Sequence, residues 1–479
     1  MPVISLPFVG QAFKERSVQL NAQDCVNLYV ARSPTAEDPN RLALYPTPGY
    51  QLLQDLTQLG IPGCGAVRGL FEVNGTVYVV SGTRLLKATP AGNAFAYSAV
   101  GTLLTSAGLC SLVSNTVDLA VADGRYGYSL KLATDAFTQV TGGEWPTDKG
   151  VTNLAFQDSL VVAAVQGTSK LVQSAVLDAA SYPALNAASV ASFPDALTAV
   201  YSDGRQLYCF GPKQAEVRYN TGSPRFSFEK VQGAFIEAGC ASPQTIVKLG
   251  GSLVFLAADE KGAAYLAALD GYTPRRLSSP ALNEAIQRYA TVADAYAWGY
   301  REGDATFYCI TFPSQNATWA VETGTGLAHR REHRGGADLP TCCVAYRDKQ
   351  LVGGADGKLY WMSQDHLTGS DGLGLRRSRT CSHLGGGETL FVQDVEIDFE
   401  TGFAPVGSTP LATLEISTDR GATWQSCGTQ PLGQTGETDK RVIWRGVGYG
   451  RTLTFRVTVT DPVRVFLTGG RMRVRQGYK

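Results

Sequence analysis

Between about residue 61 and residue 365 the chain keeps returning to one unit: an apolar run, a glycine-containing turn, a second run rich in Val, Leu and Tyr, then another turn. Leu70-Phe71-Glu72-Val73-Asn74-Gly75-Thr76-Val77-Tyr78-Val79-Val80 is one case, and residues 119–124, 199–210 and 246–256 are others. Asn-Gly, Asp-Gly and Gly-Gly pairs between such runs are hairpin signals, because type I′ turns need φ > 0 at both central residues. About six or seven units fill roughly three hundred residues, a period of about 40–50, which is the blade spacing of a β-propeller. No WD or kelch signature sharpens the repeat, so a large irregular β-sandwich stands as the alternative. The expected fold class is all-β.

From about residue 366 the texture changes. Ser370-Asp371-Gly372-Leu373-Gly374 and Gly385-Gly386-Gly387 punctuate a looser stretch, followed by alternating runs at 390–399, 411–417 and the C-terminal end. Acidic and apolar residues alternate in the first of these, giving one wet and one dry face. Residues 366–479 are therefore expected to form a separate antiparallel β-sandwich. Residues 1–60 hold too little apolar material for a core and are expected to pack with that C-terminal domain, which makes the propeller (61–365) an insertion. Helix is scarce. The clearest candidate is 279–289, with Ser279 as N-cap, Pro280 at the first helical position, and Leu282, Ala285, Ile286 and Tyr289 on one face.

Composition narrows the function classes. Lys+Arg and Asp+Glu balance at 42 each, which argues against a general nucleic-acid binder but permits a conduit whose wall must not stick to DNA. With 3 Met and 4 His, a His-rich metal site or a Met-lined groove is disfavoured. Ten irregularly spaced Cys in 479 residues read as mostly buried thiols of a protein made in a reducing cytoplasm. The stretch MPVISLPFVGQAFKER lacks the basic and long apolar regions of a signal peptide, and no window approaches the ~20 apolar residues of a membrane span.

Motifs for chemistry are few. Residues 417–424 match S-x-D-x-G-x-T-W, which resembles the Asp-box of sialidases and related β-propeller glycosidases. In those families it is a fold-stabilising turn, in which the Asp accepts backbone N–H groups. His329 and His333, followed by Cys342 and Cys343, can be written as a zinc constellation, but residues 329–336 read as a polar loop leading to a strand near Thr341. Gly446-Val447-Gly448-Tyr449-Gly450 sits between β-like runs and reads as a connecting loop rather than a phosphate cradle. Asn74-Gly75-Thr76 and Asn316-Ala317-Thr318 fit glycosylation sequons but lack a secretory context. No Walker loop, nucleophile elbow or dinucleotide fingerprint occurs, so no catalytic, cofactor-binding or metal residue is singled out.

The last forty residues carry ten Lys or Arg against one acidic residue, Asp461. Val457, Val459, Val463, Val465 and Leu467 are spaced for burial, with a turn at Thr460-Asp461-Pro462. Arg376, Arg377, Arg379, Arg441, Arg445, Arg464, Arg471, Arg473, Arg475 and Lys479 are the candidate contacts to an acidic partner or DNA phosphates. The run Asp439-Lys440-Arg441-Val442-Ile443-Trp444-Arg445, with Gly446-Val447-Gly448 and Phe455-Arg456-Val457, resembles the C-terminal signature of the tail hub (nozzle) proteins of short-tailed bacteriophages, also called packaged-DNA stabilization proteins. Residues 351–360 with Thr368-Gly369-Ser370-Asp371-Gly372, and Val26-Asn27-Leu28-Tyr29 with Tyr45-Pro46-Thr47-Pro48-Gly49-Tyr50, match in the same order.

The resemblance implies a non-enzymatic virion tail protein, assembled in the host cytoplasm. It implies a homo-hexamer beneath the portal and its adaptor ring, enclosing the channel for double-stranded DNA, sealing the packaged genome and presenting surfaces to needle, tailspike or fibre proteins. No cofactor is implied. The alternative is a carbohydrate-binding or sialidase-like β-propeller.

Overall fold

Turn chemistry decides the local structure. Asn74 and Gly75 have φ of 52° and 77° and join Val67–Val73 to Thr76–Ser81. Gly204 and Arg205 (55° and 64°) and Gly250 and Gly251 (56° and 86°) do the same for the hairpins at 199–210 and 247–258. The computed structural model describes residues 2–12, 14, 17, 21–32, 42–92, 94–385 and 387–476.

These hairpins build seven blades around one axis. Blade 1 runs outward through Val67–Val73, Thr76–Ser81, Arg84–Ala91 and Ala94–Thr102. Blade 2 spans Ser111–Ser114 to Ala136–Gln139, blade 3 Val151–Gln157 to Ala187–Ser189, and blade 4 Ala199–Asp203 to Phe228–Ile236. In blade 5, Gly239–Cys240 and Val247–Leu249 both pair with Ser252–Ala258, followed by Ala264–Asp270 and Thr273–Arg276. Blade 6 spans Tyr296–Glu302 to Ala328–His333. Blade 7 is Pro340–Tyr346, Lys349–Gly354, Lys358–Ser363 and, outermost, Gly49–Asp55 from the beginning of the chain. Seven buried apolar clusters fill the seven gaps between neighbouring blades, the last joining blade 7 to blade 1 through Leu56, Val67, Val77 and Leu351. Strands buried on both faces read as continuous apolar runs, as Leu160–Val165 does.

The eighth cluster is the core of the C-terminal sandwich, with Phe8, Leu44, Val395, Leu414, Trp444, Phe455 and Met472. One sheet holds Leu28–Arg32, Leu42–Pro46, Leu467–Gln476, Leu390–Phe399 and Val442–Gly450, with Val3–Ser5 beside Leu467–Gln476. The other holds Cys25–Val26, Arg377–Thr380, Thr454–Val459, Leu411–Ser417 and Gln425–Pro431. This second sheet does not stop at the domain border. Val26 pairs parallel with Arg330 of blade 6 and antiparallel with Ser378, so propeller and sandwich share one ladder.

The structure departs from expectation in three places. Residues 49–55 belong to the propeller, where pairing with Lys358–Ser363 closes the ring; only the strands before them join the sandwich. Residues 329–333 form a strand, not a polar loop, because the inward side chains of His329 and Arg331 lie in an aromatic, hydrogen-bonded environment. Gly446–Gly450 lies inside strand Val442–Gly450, with φ of 65° and 138° at Gly446 and Gly448 and a register shift in the facing strand. The helix forms over Pro280–Gln287 with Ser279 Oγ accepting from Leu282 N–H, and Leu282 and Ile286 are buried. All ten cysteines are free. Among the described residues no helix is long and apolar enough to cross a membrane.

Ring closure gives a first test. A Cβ on Gly49 would lie 2.3 Å from the His366 carbonyl oxygen and 2.6 Å from that of Thr368. Gly49→Ala is expected to cost about 1–3 kcal/mol by overpacking, read as a lower urea midpoint.

Candidate functional site

Three places could do work. The first is the propeller axis. Innermost strands of five blades and the short turn 243–246 of blade 5 surround a cavity of about 420 Å³, lined by residues including Phe71, Leu112, Asn153, Phe156, Tyr201 and Ile246. Its lining includes no Asp, Glu, Arg, Lys or His. Asn153 is already committed: its side chain donates to Val200 O at 2.6 Å and accepts from Val200 N–H at 2.9 Å. Glycoside hydrolysis needs a carboxylate pair or, in sialidases, a nucleophilic Tyr with acidic partners and a substrate-binding arginine cluster. The cavity offers none of these pairings.

The second place is the one that sequence reasoning missed, a buried convergence of guanidinium, carboxylate and phenols between blades 6 and 7. Arg331 Nε donates to Asp338 Oδ2 at 2.5 Å, and its Nη2 donates to the Tyr50 hydroxyl at 2.6 Å and to Pro48 O at 3.2 Å. Tyr50 in turn donates to Asp338 at 2.6 Å, and Arg331 reaches the Tyr300 hydroxyl at 3.3 Å. Trp298 and the two tyrosine rings lie 5.6–5.7 Å from the guanidinium carbon, within cation–π range. The residue types are those of a glycosidase site, but the burial is not. Arg331 is 1% exposed by side chain and Asp338 3%, so no substrate reaches them. Desolvation holds the Tyr50 and Tyr300 hydroxyls far above their ordinary range, so neither is a nucleophile, while the surrounding phenols and Asp338 hold Arg331 charged. The cluster locks the closing strand. The signal was Tyr50 inside the Tyr45–Tyr50 motif, with Arg331 alternating inward on a strand rich in polar residues.

His329 lies beside this cluster, and burial with the nearby Arg331 charge pulls its imidazole down to about 3. It is neutral at any working pH. Among the described residues no group of three or more His, Cys, Asp or Glu is placed to hold a metal ion.

The third place is the candidate arginine set, which the structure splits. Arg377 and Arg379 are 1% and 0% exposed and face inward, so they are not surface contacts. Arg379 donates to the carbonyls of Phe8 (2.5 Å), Gly10 and Gln11 and to Gln23 Oε1, which pins the N-terminal segment to the sandwich. Burial without a carboxylate partner pulls Arg377 down to about 10. Arg376 forks onto Glu332 of blade 6 at 2.9 and 2.6 Å, and Arg464 reaches Asp365 at 2.8 Å. Both fasten sandwich to propeller. Lys479 lies outside the described residues.

The remaining five share the outer face of the six-stranded sheet. Strand Leu390–Phe399 supplies Asp394 and Glu396, and the flanking strands supply arginines on either side. Arg441 forks onto Glu396 at 2.6 and 2.8 Å, Arg471 reaches the same carboxylate at 3.0 Å, and Arg473 meets Asp394 at 2.8 Å. Arg445 and Arg475 are exposed and form no ion pair among the described residues. Arg475 sits opposite Phe391, which stacks with exposed Tyr449 at 5.3 Å between ring centres. The carboxylates orient the guanidinium groups and leave a face of positive charge with an aromatic corner. At the far end of the other sheet, Asp419 accepts from Thr423 N–H (2.8 Å) and from the Thr423 and Ser417 hydroxyls. The Asp-box is a hairpin turn in the sandwich, between Leu411–Ser417 and Gln425–Pro431.

The arginine face sets a pH dependence. Hydrogen bonds from Arg441, then Arg471, hold the Glu396 carboxyl down at about 2. A folded-state pKa below the unfolded one adds stability above the unfolded value, near 4.5, which is lost as pH falls toward about 2. Because the arginines are half exposed, solvent screening discounts the contribution to about 1 kcal/mol or less. Glu396→Gln is expected to flatten the denaturation midpoint between pH 4.5 and 2.5 relative to the parent protein.

Several solved structures are distantly similar to this chain. Among solved structures, the extracellular domain of the hybrid two component system BT4673 from B. thetaiotaomicron is 10% identical, with 76% of this chain and 44% of that chain covered and a TM-score of 0.43. The WD40 β-propeller domain of Doa1 is 11% identical, covering 66% of this chain and 97% of that one at a TM-score of 0.42. The Neurospora crassa Pan2 WD40 domain is 7% identical over 65% and 94% at 0.41. Likenesses this distant carry no argument about this chain. No curated protein matches its sequence. The family models do match: residues 14–329 fit the β-propeller of bacteriophage P22 Gp10 and residues 382–475 fit its β-sandwich. With both domains present in order, this chain belongs to the bacteriophage P22 Gp10 family of phage tail and stabilisation proteins.

Proposed function

We propose that the chain is the hub, or nozzle, subunit of a short virion tail. Six copies ring the axis beneath the portal-adaptor ring, retain the packaged DNA and form the channel through which double-stranded DNA leaves at ejection. Needle, tailspike or fibre proteins attach to the same ring, and no step requires catalysis. The observation that carries this reading is the shared ladder at Val26, which welds propeller to sandwich into one stiff body in a family of tail proteins. The sealed Arg331 cluster and the uncharged axial cavity fit a mechanical role. The outer arginine face, with free Arg445 and Arg475 beside Phe391 and Tyr449, suits docking to an acidic protein surface of the neighbouring ring, since Arg and aromatic residues are enriched at interfaces.

The test is reconstitution. DNA-filled heads that carry portal and adaptor but lack this protein are mixed with the purified chain. Six copies per head, and a genome that becomes resistant to nuclease, are the expected result. Heads that keep their DNA equally well without the chain, or never bind it, would refute the reading. Arg445→Glu with Arg475→Glu is expected to weaken binding to heads about tenfold or more, given that close charge pairs at interfaces couple by ≈ 1.5–7 kcal/mol.

A further inference from the structure

Outer edges of propeller blades expose unpaired backbone groups, and proteins normally blunt them with short strands, charges or covers. Six of the seven blades here follow that rule. The outer strands of blades 2 and 3 are four and three residues long. Those of blades 4 and 5 carry Glu229 and Lys230, and Arg275 and Arg276. Blade 6 is covered by Cys25–Val26, and the closing strand of blade 7 ends on Asp55 with its Tyr50 N–H taken by Thr368 O at 2.9 Å.

Blade 1 follows the rule only at its C-terminal end. Its outer strand Ala94–Thr102 is nine residues long, reads AFAYSAVGT, and contains neither a charge nor a proline. Ala94, Ala96, Ser98 and Ala99 are exposed and small, leaving this part of the edge open to approach. The hairpin that bears it is held on both sides. Phe95 packs on Tyr346 and Trp361 of blade 7 at 5.2 and 6.1 Å between ring centres, and Lys87 pairs with Asp135 of blade 2 at 2.8 Å. Only the C-terminal end is guarded, where the pairing slips by a bulge at Val100 and Gly101 lies against the ring of Phe137. Residues 94–99 are thus an uncharged, unprotected edge.

We propose that this edge accepts an extended, uncharged segment of another tail protein as a fifth strand of blade 1, an inference that rests on the tail-hub reading above. Backbone N–H and C=O groups supply the affinity in strand addition, and alternating side chains supply the choice of partner. The small residues at 94, 96 and 98 leave room for bulky apolar side chains on the added strand, while a charged segment would gain nothing here. Pairing of the edge with itself in a second copy would close at a two-fold dimer, and the test separates that outcome.

Hydrogen–deuterium exchange is measured by mass spectrometry on the full chain, free in solution and in tails detached from purified virions. Those amides of residues 94–99 that point away from strand Arg84–Ala91 are expected to exchange about tenfold or more slowly in the tails, as newly bonded strand amides do. Unchanged exchange in tails that contain the chain overturns the edge inference and leaves the hub reading standing; absence of the chain from virions overturns both. Protection already present in the free protein, with a dimer by light scattering, overturns the choice of partner. Ala96→Lys with Ser98→Lys is expected to leave the thermal melt of the free protein unchanged and to reduce incorporation into tails about tenfold; incorporation at the parent level overturns the proposal.

Discussion

Arg331→Met is expected to destabilise the protein by about 3–5 kcal/mol, because it leaves Asp338 charged and unpaired in the seam between blades 6 and 7. Asp338 is 3% exposed by side chain, and the partners left to it are the Tyr50 hydroxyl and the Leu339 N–H, neither of which carries a charge. The pair itself is a different matter. Replacing both partners, Arg331→Met with Asp338→Leu, removes the stranded charge and is expected to recover most of the loss. Arg331→Lys is expected to fail, since one ammonium cannot span Asp338, Tyr50, Tyr300 and Pro48 O as the planar fork does. Tyr50→Phe, which removes one bridging hydroxyl, should cost about 1–2 kcal/mol. Urea denaturation of the four variants checks the set. A loss below about 1 kcal/mol for Arg331→Met would mean that the seam is wetter than its burial says.

Asn27→Ala should be nearly as damaging, and in a different way. Asn27 sits at φ 52° between the strands Cys25–Val26 and Leu28–Arg32, and it is 2% exposed. Its amide donates to Glu332 O and Arg376 O at 2.9 Å each and accepts from Glu332 N–H at 3.0 Å. Alanine strands two carbonyls and one N–H at about 1 kcal/mol each and adds left-handed strain, for a total of about 3–4 kcal/mol. The location matters more than the size. These bonds join blade 6 to the start of strand Arg377–Thr380, so their loss uncouples the domains. Scanning calorimetry is expected to show one transition for the parent protein and two for Asn27→Ala. Asn27→Gly keeps the backbone geometry and separates strain from lost bonding. A single unsplit transition in both variants would count against the coupling.

Much of the architecture was legible because hairpin chemistry is local. Asn74-Gly75 and Gly250-Gly251 announce their turns within four residues, and the period of such turns announces blades. What sequence could not reveal is long-range pairing. Nothing local in Gly49–Asp55 says that it closes a ring with residues 358–363, so the first sixty residues read as one unit although they serve two domains. The candidate arginines failed and succeeded on the same principle. Arg377 and Arg379 sit in a run that looks like a wet face, but the alternation that exposes Arg376 turns those two inward, where backbone carbonyls receive them. Arg445 and Arg475 lie outward because Trp444 and Val474 beside them fill the sandwich core. The Arg331 cluster draws on three distant stretches, and no spacing in one of them foretells the other two.

Closure of the propeller by the strand Gly49–Asp55 also orders events at the ribosome. Its partner Lys358–Ser363 lies roughly 300 residues later, so at ~5–20 residues per second the early strand waits on the order of 15–60 s for a mate. Each blade can zip as its hairpins emerge, yet the circle stays unlocked until translation has passed residue 363. A prematurely terminated chain therefore carries an open crescent with bare flanks, and quality control has a feature by which to tell it from a finished subunit.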